Sequence, residues 1–241
     1  MITELRSLWK EAFGDSEAFM DDFFRVAYDE KRCRYIRKDG KVVSALYWFD
    51  VDMGTEKIAY LYGVATLTAY RGQGLAAYLI EKTCKQLQEK GYSGVLLVPG
   101  SRQLFDYYRR LGFFTCTTVD EFRCEARGRM LLRSVDREEY AAIRRQLLPH
   151  RGVEQEGAFL ELLELEYGLF AGEGFLLCVA VKGEKAFIPE FLGDSSLLPE
   201  VLGGLGVQWA QVRTPGPGRS FSMYKALKDH AVPLYFGLAM D

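Results

Sequence analysis

The stretch of sequence with the clearest chemical content joins a predicted strand to a predicted helix, over residues 61–76. Gly72 and Gly74 lie just before the helix, and because they have no Cβ a phosphate group can approach their backbone closely. The first turn of a helix has free backbone N–H groups and the positive end of the peptide dipoles. Arg71 adds a fixed positive charge. The segment therefore predicts a diphosphate site.

Two common phosphate-binding patterns can be compared with this segment. The run Gly72 to Ala77 satisfies the G-x-G-x-x-G/A pattern of dinucleotide-binding folds. That pattern also expects an acidic residue about 20 positions later, at the end of the next strand, where this sequence has Val98-Pro99. A Walker A loop is excluded, because Gly74 is followed by Leu75 and not by Lys and Ser/Thr. A nicotinamide-dependent oxidoreductase is therefore the least favoured alternative.

Two motifs together resemble those of a known family. Arg71-Gly72-Gln73-Gly74-Leu75-Ala76 resembles the R/Q-x-x-G-x-G/A signature of the GNAT superfamily of acetyl-CoA-dependent N-acetyltransferases. Downstream, residues 107–113 read Tyr-Tyr-Arg-Arg-Leu-Gly-Phe and are similar to the family's F-Y-x-x-x-G-F segment. The two motifs occur in the family's order and at a family-like separation. The resemblance covers residues 1–125.

The resemblance implies acetyl-CoA as the acyl donor and no metal. It implies that backbone N–H groups of the loop hold the pyrophosphate, and that the preceding strand pairs with the pantetheine arm as with an added strand. Tyr108 matches the family tyrosine that protonates the departing thiolate, and Ser101 stands where the family often has Asn ahead of a helix that a serine can cap. The cofactor residues implied are Val64, Ala65, Thr66, Arg71, Gly72, Gln73, Gly74, Leu75 and Ala76.

The implied reaction is direct attack on the thioester by the primary amine of a small molecule or a peptide. A thiol with a pKa near ~8.5 and a phenol near ~10 make proton transfer from Tyr108 to the thiolate feasible. An amine with a pKa near ~10.4 must first lose a proton. The candidate bases are a water chain, Asp50, Asp52, Glu56, and Asp241 at the end of a predicted strand, and no motif selects among them.

Simpler interpretations exist for the same residues. Tyr108 lies four positions after Leu104 and three before Leu111, which is also the spacing of a core aromatic on an amphipathic helix. Gly72 and Gly74 also suit an ordinary tight turn. A non-catalytic acyl-CoA sensor would keep the same pocket, so it stands as the second functional hypothesis.

Hydrophobic periodicity places these motifs in an α/β (mixed α+β) fold. The GNAT fold implied by the resemblance is a mixed, mostly antiparallel, twisted sheet flanked by helices. The elements predicted for the first half are two short helices within residues 5–26, strands over 32–37, 41–51 and 58–66, a helix over 72–90, a strand over 94–98, a helix over 101–111, and closing strands over 113–119 and 122–125.

The pattern restarts after residues 126–128. Helices, including one over 158–170, precede strands over 175–181 and 186–192, so we predict two related domains, 1–126 and 127–241. The second is a degenerate GNAT-like domain without the pyrophosphate motif, and Asp194 in the corresponding place would repel phosphate. This tandem arrangement is similar to that of the Eis-like group.

Three smaller expectations concern the second half. Pro189 has no N–H to donate, so its strand is predicted to be an edge strand or bulged at that point. Arg144-Arg145 is expected on a solvated helix face, and residues 233–239 as a terminal strand.

Composition excludes several other classes of protein. The 241 residues contain 31 Lys and Arg and 33 Asp and Glu, a net charge of −2 that argues against nucleic-acid binding. The longest apolar run, residues 175–181, is too short to span a membrane. The N-terminus lacks an apolar signal core, so a cytoplasmic location is expected. Five cysteines without a C-x-x-C pair, and two histidines, argue against a zinc site or disulfide framework.

Overall fold

The computed structural model describes residues 1–240, which divide into two compact units. The first unit contains Met1–Phe114 together with Met223–Ala231. The second contains Thr115–Ser222 and the C-terminal residues from Val232 onward. The chain therefore passes from the first unit to the second, returns to the first for residues 223–231, and then passes to the second again.

The α-helices and β-strands follow one another in a readable order. The helices are α1 (Ile2–Phe13), α2 (Glu17–Asp22), α3 (Leu75–Glu89), α4 (Arg102–Arg110), α5 (Arg137–Leu147), α6 (Gly157–Glu166) and α7 (Leu198–Leu205). The strands are β1 (Cys33–Lys38), β2 (Lys41–Met53), β3 (Glu56–Thr66), β4 (Gly94–Leu97), β5 (Phe114–Thr115), β6 (Thr118–Glu125), β7 (Arg133–Ser134), β8 (Gly168–Gly172), β9 (Phe175–Lys182), β10 (Lys185–Leu192), β11 (Trp209–Pro215), β12 (Arg219–Ser220) and β13 (Met223–Ala226). Among these residues, no helix has the length and apolar character needed to cross a membrane.

The first unit is built on a six-stranded sheet with the strand order β1-β2-β3-β4-β13-β5. β1, β2 and β3 pair antiparallel, β3 and β4 pair parallel, and β4 and β13 pair antiparallel. The predicted α/β class, with a mostly antiparallel mixed sheet flanked by helices, is confirmed.

Alternation along β2 gives this sheet two apolar faces. Leu46 and Trp48 pack into a buried cluster with Ile80 of α3, whereas Tyr47 turns to the opposite face, against Trp9 of α1. Because both faces of β2 are covered, the strand reads as an almost continuous apolar run in the sequence.

The predicted domain boundary at residue 126 differs from the structure. β6 belongs to the second sheet, where it pairs antiparallel with β11 from Glu125↔Trp209 to Val119↔Pro215. β13 belongs to the first sheet, where it pairs with β4. Strand pairing across a long stretch of sequence therefore places the first crossing after Phe114 and adds residues 223–231 to the first unit.

The second unit repeats the topology of the first. Its seven-stranded sheet has the order β12-β6-β11-β10-β9-β8-β7. The succession α1, α2, β1, β2, β3, α3, β4 is matched by α5, α6, β8, β9, β10, α7, β11. The strand directions match as well, since β8, β9 and β10 pair antiparallel and β10 and β11 pair parallel.

Pro189 lies in a β-bulge of β10, in the interior of the second sheet. Phe187 pairs with Ala180 and Glu190 with Cys178, so β10 has one residue more than β9 in this stretch. The bulge removes the need for a ladder hydrogen bond from the proline. This confirms the second of the two positions expected for Pro189.

Arg144 is buried, and its expected position on a solvated helix face is wrong. Its guanidinium donates to both carboxylate oxygens of Glu190, at 2.7 and 2.9 Å, and both side chains are almost wholly inaccessible. Tyr235 donates to the same carboxylate at 2.9 Å, and Gln155 donates to the carbonyl of Leu238. A buried charge needs such partners, and here they hold the C-terminal segment on the second unit.

Two predicted elements of the second half need correction. The helix expected over 158–170 ends at Glu166, because Gly168 begins β8, which pairs with β9. Residues 233–239 contain no strand and form only an isolated bridge, Gly152↔Tyr235. Their apolar side chains fill the core instead, with Phe236 and Leu238 fully buried.

A substitution at Gly94 in β4 tests how β13 packs against this strand. A Cβ on Gly94 would lie 2.0 Å from the hydroxyl oxygen of the buried Tyr224. We expect Gly94→Ala to lower the free energy of unfolding by about 1–3 kcal/mol, the usual cost of overpacking. Urea unfolding of the full chain measures this change.

Gly100 provides the matched control, because a Cβ there would meet no atom within 4 Å. We expect Gly100→Ala to stay within about 0.5 kcal/mol of wild type. Equal destabilisation by both variants would show that Tyr224 does not pack against Gly94 as described.

A fragment of residues 1–126 tests the predicted boundary. It lacks β13, so the edge of β4 loses its partner and the first unit loses the fully buried Met223. An unpaired apolar edge favours aggregation, so we expect aggregation or a non-cooperative thermal transition. Joining residues 223–231 to the fragment through a flexible linker should restore a cooperative transition. A fragment that unfolds cooperatively without them would support the boundary at 126.

Candidate functional site

The strands β3 and β4 pair along only part of their length. Their parallel pairing runs from Ile58↔Gly94 to Tyr60↔Leu96, and no described residue of β4 pairs with β3 beyond that point. On its other side β3 remains paired with β2 up to Ser44↔Thr66. The second half of β3 therefore has one free edge.

A β-bulge lies in this half of β3. Tyr62 pairs with Tyr47 and Ala65 with Ala45, so β3 has one residue more than β2 here. Gly63, within the bulge, has a φ of +58°. A Cβ at Gly63 would lie 2.7 Å from the Trp9 ring, so both the backbone conformation and the close packing require glycine.

The last residues of β3 are fixed from the side of β2. The Ser44 hydroxyl donates to the carbonyl oxygen of Ala65 at 2.9 Å and lies 2.9 Å from the Thr66 hydroxyl. Leu67 donates to the carbonyl of Val43 at 2.9 Å. Val64 is half-buried and packs against the cluster formed with α3. Val64, Ala65 and Thr66 thus form a rigid edge that an extended molecule can join as an added strand.

The loop from Arg71 to Gly74 leads into α3 with its backbone open. Gly72 and Gly74 have φ of 76° and 74°, and a Cβ at either would meet no atom within 4 Å. Hydrogen bonding within α3 begins where Tyr78 donates to the carbonyl of Gly74 at 3.0 Å. Among residues 1–240, the amides of residues 72–77 have no acceptor. These six N–H groups, with the positive end of α3, form a cradle for an anion.

Two cationic side chains accompany this cradle. Arg71 donates through Nε to the carbonyl of Thr66 at 3.2 Å, so its guanidinium is bound to the base of the loop. Lys38 donates from β1 to Oε1 of Gln73 at 2.7 Å. Sequence reasoning missed Lys38, because no local pattern links it to a loop that lies far along the chain.

Tyr108 lies on α4 with its ring in the apolar cluster between the sheet and its helices. It is 7% exposed and makes edge contacts with Tyr107 at 5.1 Å and Phe113 at 5.8 Å between ring centroids. Val64 packs against the same cluster. Burial, and to a smaller extent Tyr107, raises the pKa of Tyr108 well above the usual value for a phenol. The phenol is therefore protonated at neutral pH.

Ser101 is the N-cap residue of α4, as predicted, but its side chain does not cap the helix, since its hydroxyl makes no capping hydrogen bond. The Leu104 amide donates to the Ser101 carbonyl at 3.1 Å.

The structure does not bring the predicted bases to the free edge of β3. Asp50 pairs with Ala59, Asp52 with Lys57, and Glu56 begins β3, all at the end of the hairpin opposite the loop. At about 3.3 Å per residue, Ala59 and Val64 are about 17 Å apart along the strand. Asp241 lies outside the described residues.

Asp50 and Glu56 also have partners of their own. Tyr92 donates to Asp50 at 2.5 Å, and Lys57 lies 3.4 Å from the same carboxylate. Ser93 donates to Glu56, and Nδ1 of His230 lies 3.4 Å from it. These contacts give both carboxylates a structural role.

The second unit has the same bulged strand but a different loop. Between β10 and α7, Asp194 accepts a hydrogen bond from the Ser196 amide at 2.9 Å. This backbone hydrogen bond, with one from the Ser196 side chain, lowers the pKa of Asp194. A carboxylate of the chain itself thus occupies the turn that is open in the first unit. No group of residues in the described part of the chain could hold a metal ion.

Comparison with known proteins identifies a domain in the first half of the chain. Residues 1–116 match the model of an acetyltransferase (GNAT) domain. No curated protein matches the sequence.

Several solved structures share the fold over almost the whole chain. A GCN5-related N-acetyltransferase from Anabaena variabilis has a TM-score of 0.71 and 15% identity, over 94% of this chain and 70% of its own. One from Kribbella flavida has a TM-score of 0.70 and 16% identity, over 93% and 68%. Eis1 from Mycobacterium abscessus has a TM-score of 0.67 and 12% identity, over 93% and 71%.

At 12–16% identity, these structures show the fold alone. Residues 1–116, just under half of the chain, match an acetyltransferase (GNAT) domain, and this match supports an acyltransferase enzyme.

Proposed function

We propose that the protein transfers the acetyl group of acetyl-CoA to the primary amine of a small molecule or a peptide. The observation that carries the proposal is the row of six backbone amides, residues 72–77, that have no acceptor among the described residues. A diphosphate presents enough oxygens to accept from several of them at once. The GNAT domain match over residues 1–116 supports acetyl-CoA as the acyl donor.

The residues present fit coenzyme A along its length. A Cβ at Gly72 or Gly74 would project into open space, so the glycines leave room for the diphosphate. The free edge of Val64, Ala65 and Thr66 offers backbone groups to the amides of pantetheine. When bound, acetyl-CoA supplies a thioester whose carbonyl carbon is open to attack by an amine.

Tyr108 is proposed as the group that donates its O–H to the leaving sulfur. Its burial keeps the phenol protonated, so a donor is present throughout the physiological pH range. The apolar surroundings in the cluster strengthen a hydrogen bond to a developing negative charge. Attack by the amine forms the N–C bond, the C–S bond breaks, and the Tyr108 O–H gives its proton to the sulfur. The amine gives its own proton to water, and the phenol regains a proton from water because its raised pKa makes the tyrosinate a strong base.

The amine must lose a proton before or during attack. Because Asp50, Asp52 and Glu56 lie at the far end of the β2–β3 hairpin, their positions favour water as the proton acceptor over these three carboxylates. The second unit is proposed to be a degenerate copy, since Asp194 fills the turn that would hold a diphosphate. The five cysteines are free thiols, which supports a cytoplasmic location.

Release of free thiol from acetyl-CoA tests the activity. The panel should include polyamines, aminoglycosides, amino acids and peptides with free N-termini, and we expect at least one to raise the rate above hydrolysis. Binding of coenzyme A without turnover by any amine would favour the acyl-CoA sensor. Thermal stabilisation by NAD and not by coenzyme A would overturn the proposal.

Gly74 tests the anion cradle directly. Asp and Asn have nearly the same shape, and both tolerate positive φ better than other side chains, so Gly74→Asn is the matched control for Gly74→Asp. The aspartate places a negative charge beside the amides that are proposed to hold the diphosphate. We expect Gly74→Asp to bind coenzyme A at least ~10-fold more weakly than Gly74→Asn, as measured by calorimetry.

Equal affinity of the two Gly74 variants would show that the diphosphate binds elsewhere. Thermal unfolding without ligand provides the folding control. The aspartate should not lower the melting temperature relative to asparagine, because a carboxylate is favourable at the N-terminus of a helix.

Tyr108→Phe tests the donor role. We expect kcat to fall by about 10²-fold, the usual contribution of a positioned acid, while the dissociation constant of coenzyme A stays within about threefold of wild type. Steady-state kinetics and calorimetry give the two values. Tyr107→Phe, which changes the neighbouring half-buried phenol, is the matched control and should keep kcat.

Two outcomes would return Tyr108 to a purely structural role: an unchanged kcat, or an equal fall in both variants. Ultraviolet titration provides a second readout. Because burial raises the pKa of Tyr108, removing its phenol should leave unchanged the tyrosinate absorbance that develops near pH ~10.

A further inference from the structure

We propose that Lys38, at the end of β1, binds the diphosphate of coenzyme A together with the loop that precedes α3. The inference rests on the proposed function and adds to it a residue outside the loop motif. Its amine already lies 2.7 Å from Gln73 Oε1, in the middle of the open loop.

The position of Lys38 follows from the two-residue period of β1. Arg34, Ile36 and Lys38 share the face of β1 that α3 covers. Arg34 donates to Gln86 of α3 at 2.9 Å, and Ile36 packs against the cluster that contains Ile80. These three side chains therefore form a row that runs alongside α3, from its last turns toward its start. Lys38, the last residue of the row, reaches Gln73 just before the helix begins.

This is an unfavourable place for a cation in the absence of an anion. The start of α3 carries positive partial charge, and a lysine beside it is repelled. The first turn of α3 contains no acidic residue that would offset this charge. Lys41 lies directly opposite Lys38 across the hairpin, so two like charges face each other. Among residues 1–240, neither Lys38 nor Arg71 forms an ion pair.

A bound diphosphate would offset these repulsions, because its negative charge attracts both Lys38 and the positive start of α3. Lys38 can exchange the neutral amide oxygen of Gln73 for a charged phosphate oxygen, which is a much stronger acceptor. Arg71 donates through Nε to the Thr66 carbonyl. It therefore has a structural contact within the loop in addition to any contact with the ligand. Lys38 has no such second role, because its one hydrogen bond is to the loop itself.

The test compares the affinity for coenzyme A of wild type, Lys38→Gln and Lys41→Gln. We expect Lys38→Gln to weaken binding by about 10-fold or more, as for loss of a charged hydrogen bond. Lys41→Gln removes the same charge from the same hairpin and should weaken binding by no more than about threefold. Lys38→Arg, which keeps the charge, should recover most of the wild-type affinity.

Dephospho-coenzyme A, which lacks the 3′-phosphate, identifies the group that Lys38 contacts. If Lys38 binds the diphosphate, Lys38→Gln should weaken binding of this ligand by the same factor. Thermal unfolding without ligand separates binding from structure. Lys38→Gln should melt at the wild-type temperature or slightly above it, because the substitution removes a repelled charge.

Several results would overturn the role of Lys38. These are an unchanged affinity in Lys38→Gln, an equal loss in Lys41→Gln, loss of the effect with dephospho-coenzyme A, and a lower melting temperature without ligand that accounts for the weaker binding. Failure of the wild-type protein to bind coenzyme A at all would instead overturn the proposed function. The two failures are therefore distinguishable.

Discussion

The whole site depends on the point at which the parallel strands β3 and β4 stop pairing with each other. β3 and β4 pair only as far as Tyr60↔Leu96, and backbone groups beyond that point must find other partners. The bulge at Gly63 turns the rest of β3 while β2 holds it in place. The chain then leaves the sheet at Leu67 and enters α3 by an open loop. An extended ligand with an anionic end satisfies both the strand edge and the helix start.

The second unit separates what the fold requires from what the function requires. β10 carries a bulge in the corresponding place, and its parallel pairing with β11 ends at Ile188↔Val212. A bulged third strand that parts from the fourth is therefore a property of the topology. The open loop is a property of the first unit alone, because in the second the Asp194 carboxylate accepts from the Ser196 amide. The two units therefore differ most clearly in the few residues between the third strand and the helix that follows it.

Local patterns predicted the first half well, because each of its early strands and helices is long enough to show its period. The helix predicted over 72–90 is α3 (Leu75–Glu89), and the strand over 58–66 is β3. β13 was not predicted, since four residues carry almost no periodic signal and their partner strand lies far away in the sequence. The crossing points of the chain were missed for the same reason, because they depend on the pairing of β13. Lys38 and the burial of Arg144 were also not predicted, since their partners Gln73 and Glu190 lie far along the sequence. Contacts between distant segments decide each of these features.

The two interpretations of Tyr108, core aromatic and proton donor, require the same environment. A ring packed beside Phe113 and in one cluster with Val64 has a fixed orientation, which lowers the entropic cost of presenting its hydroxyl. Burial raises the pKa of the phenol, so near neutral pH its hydroxyl is available as a hydrogen-bond donor and not as a base. A carboxylate in this apolar cluster would bear a large desolvation cost. Asp50, Asp52 and Glu56 lie instead at the more solvated end of the β2–β3 hairpin, which is consistent with this cost.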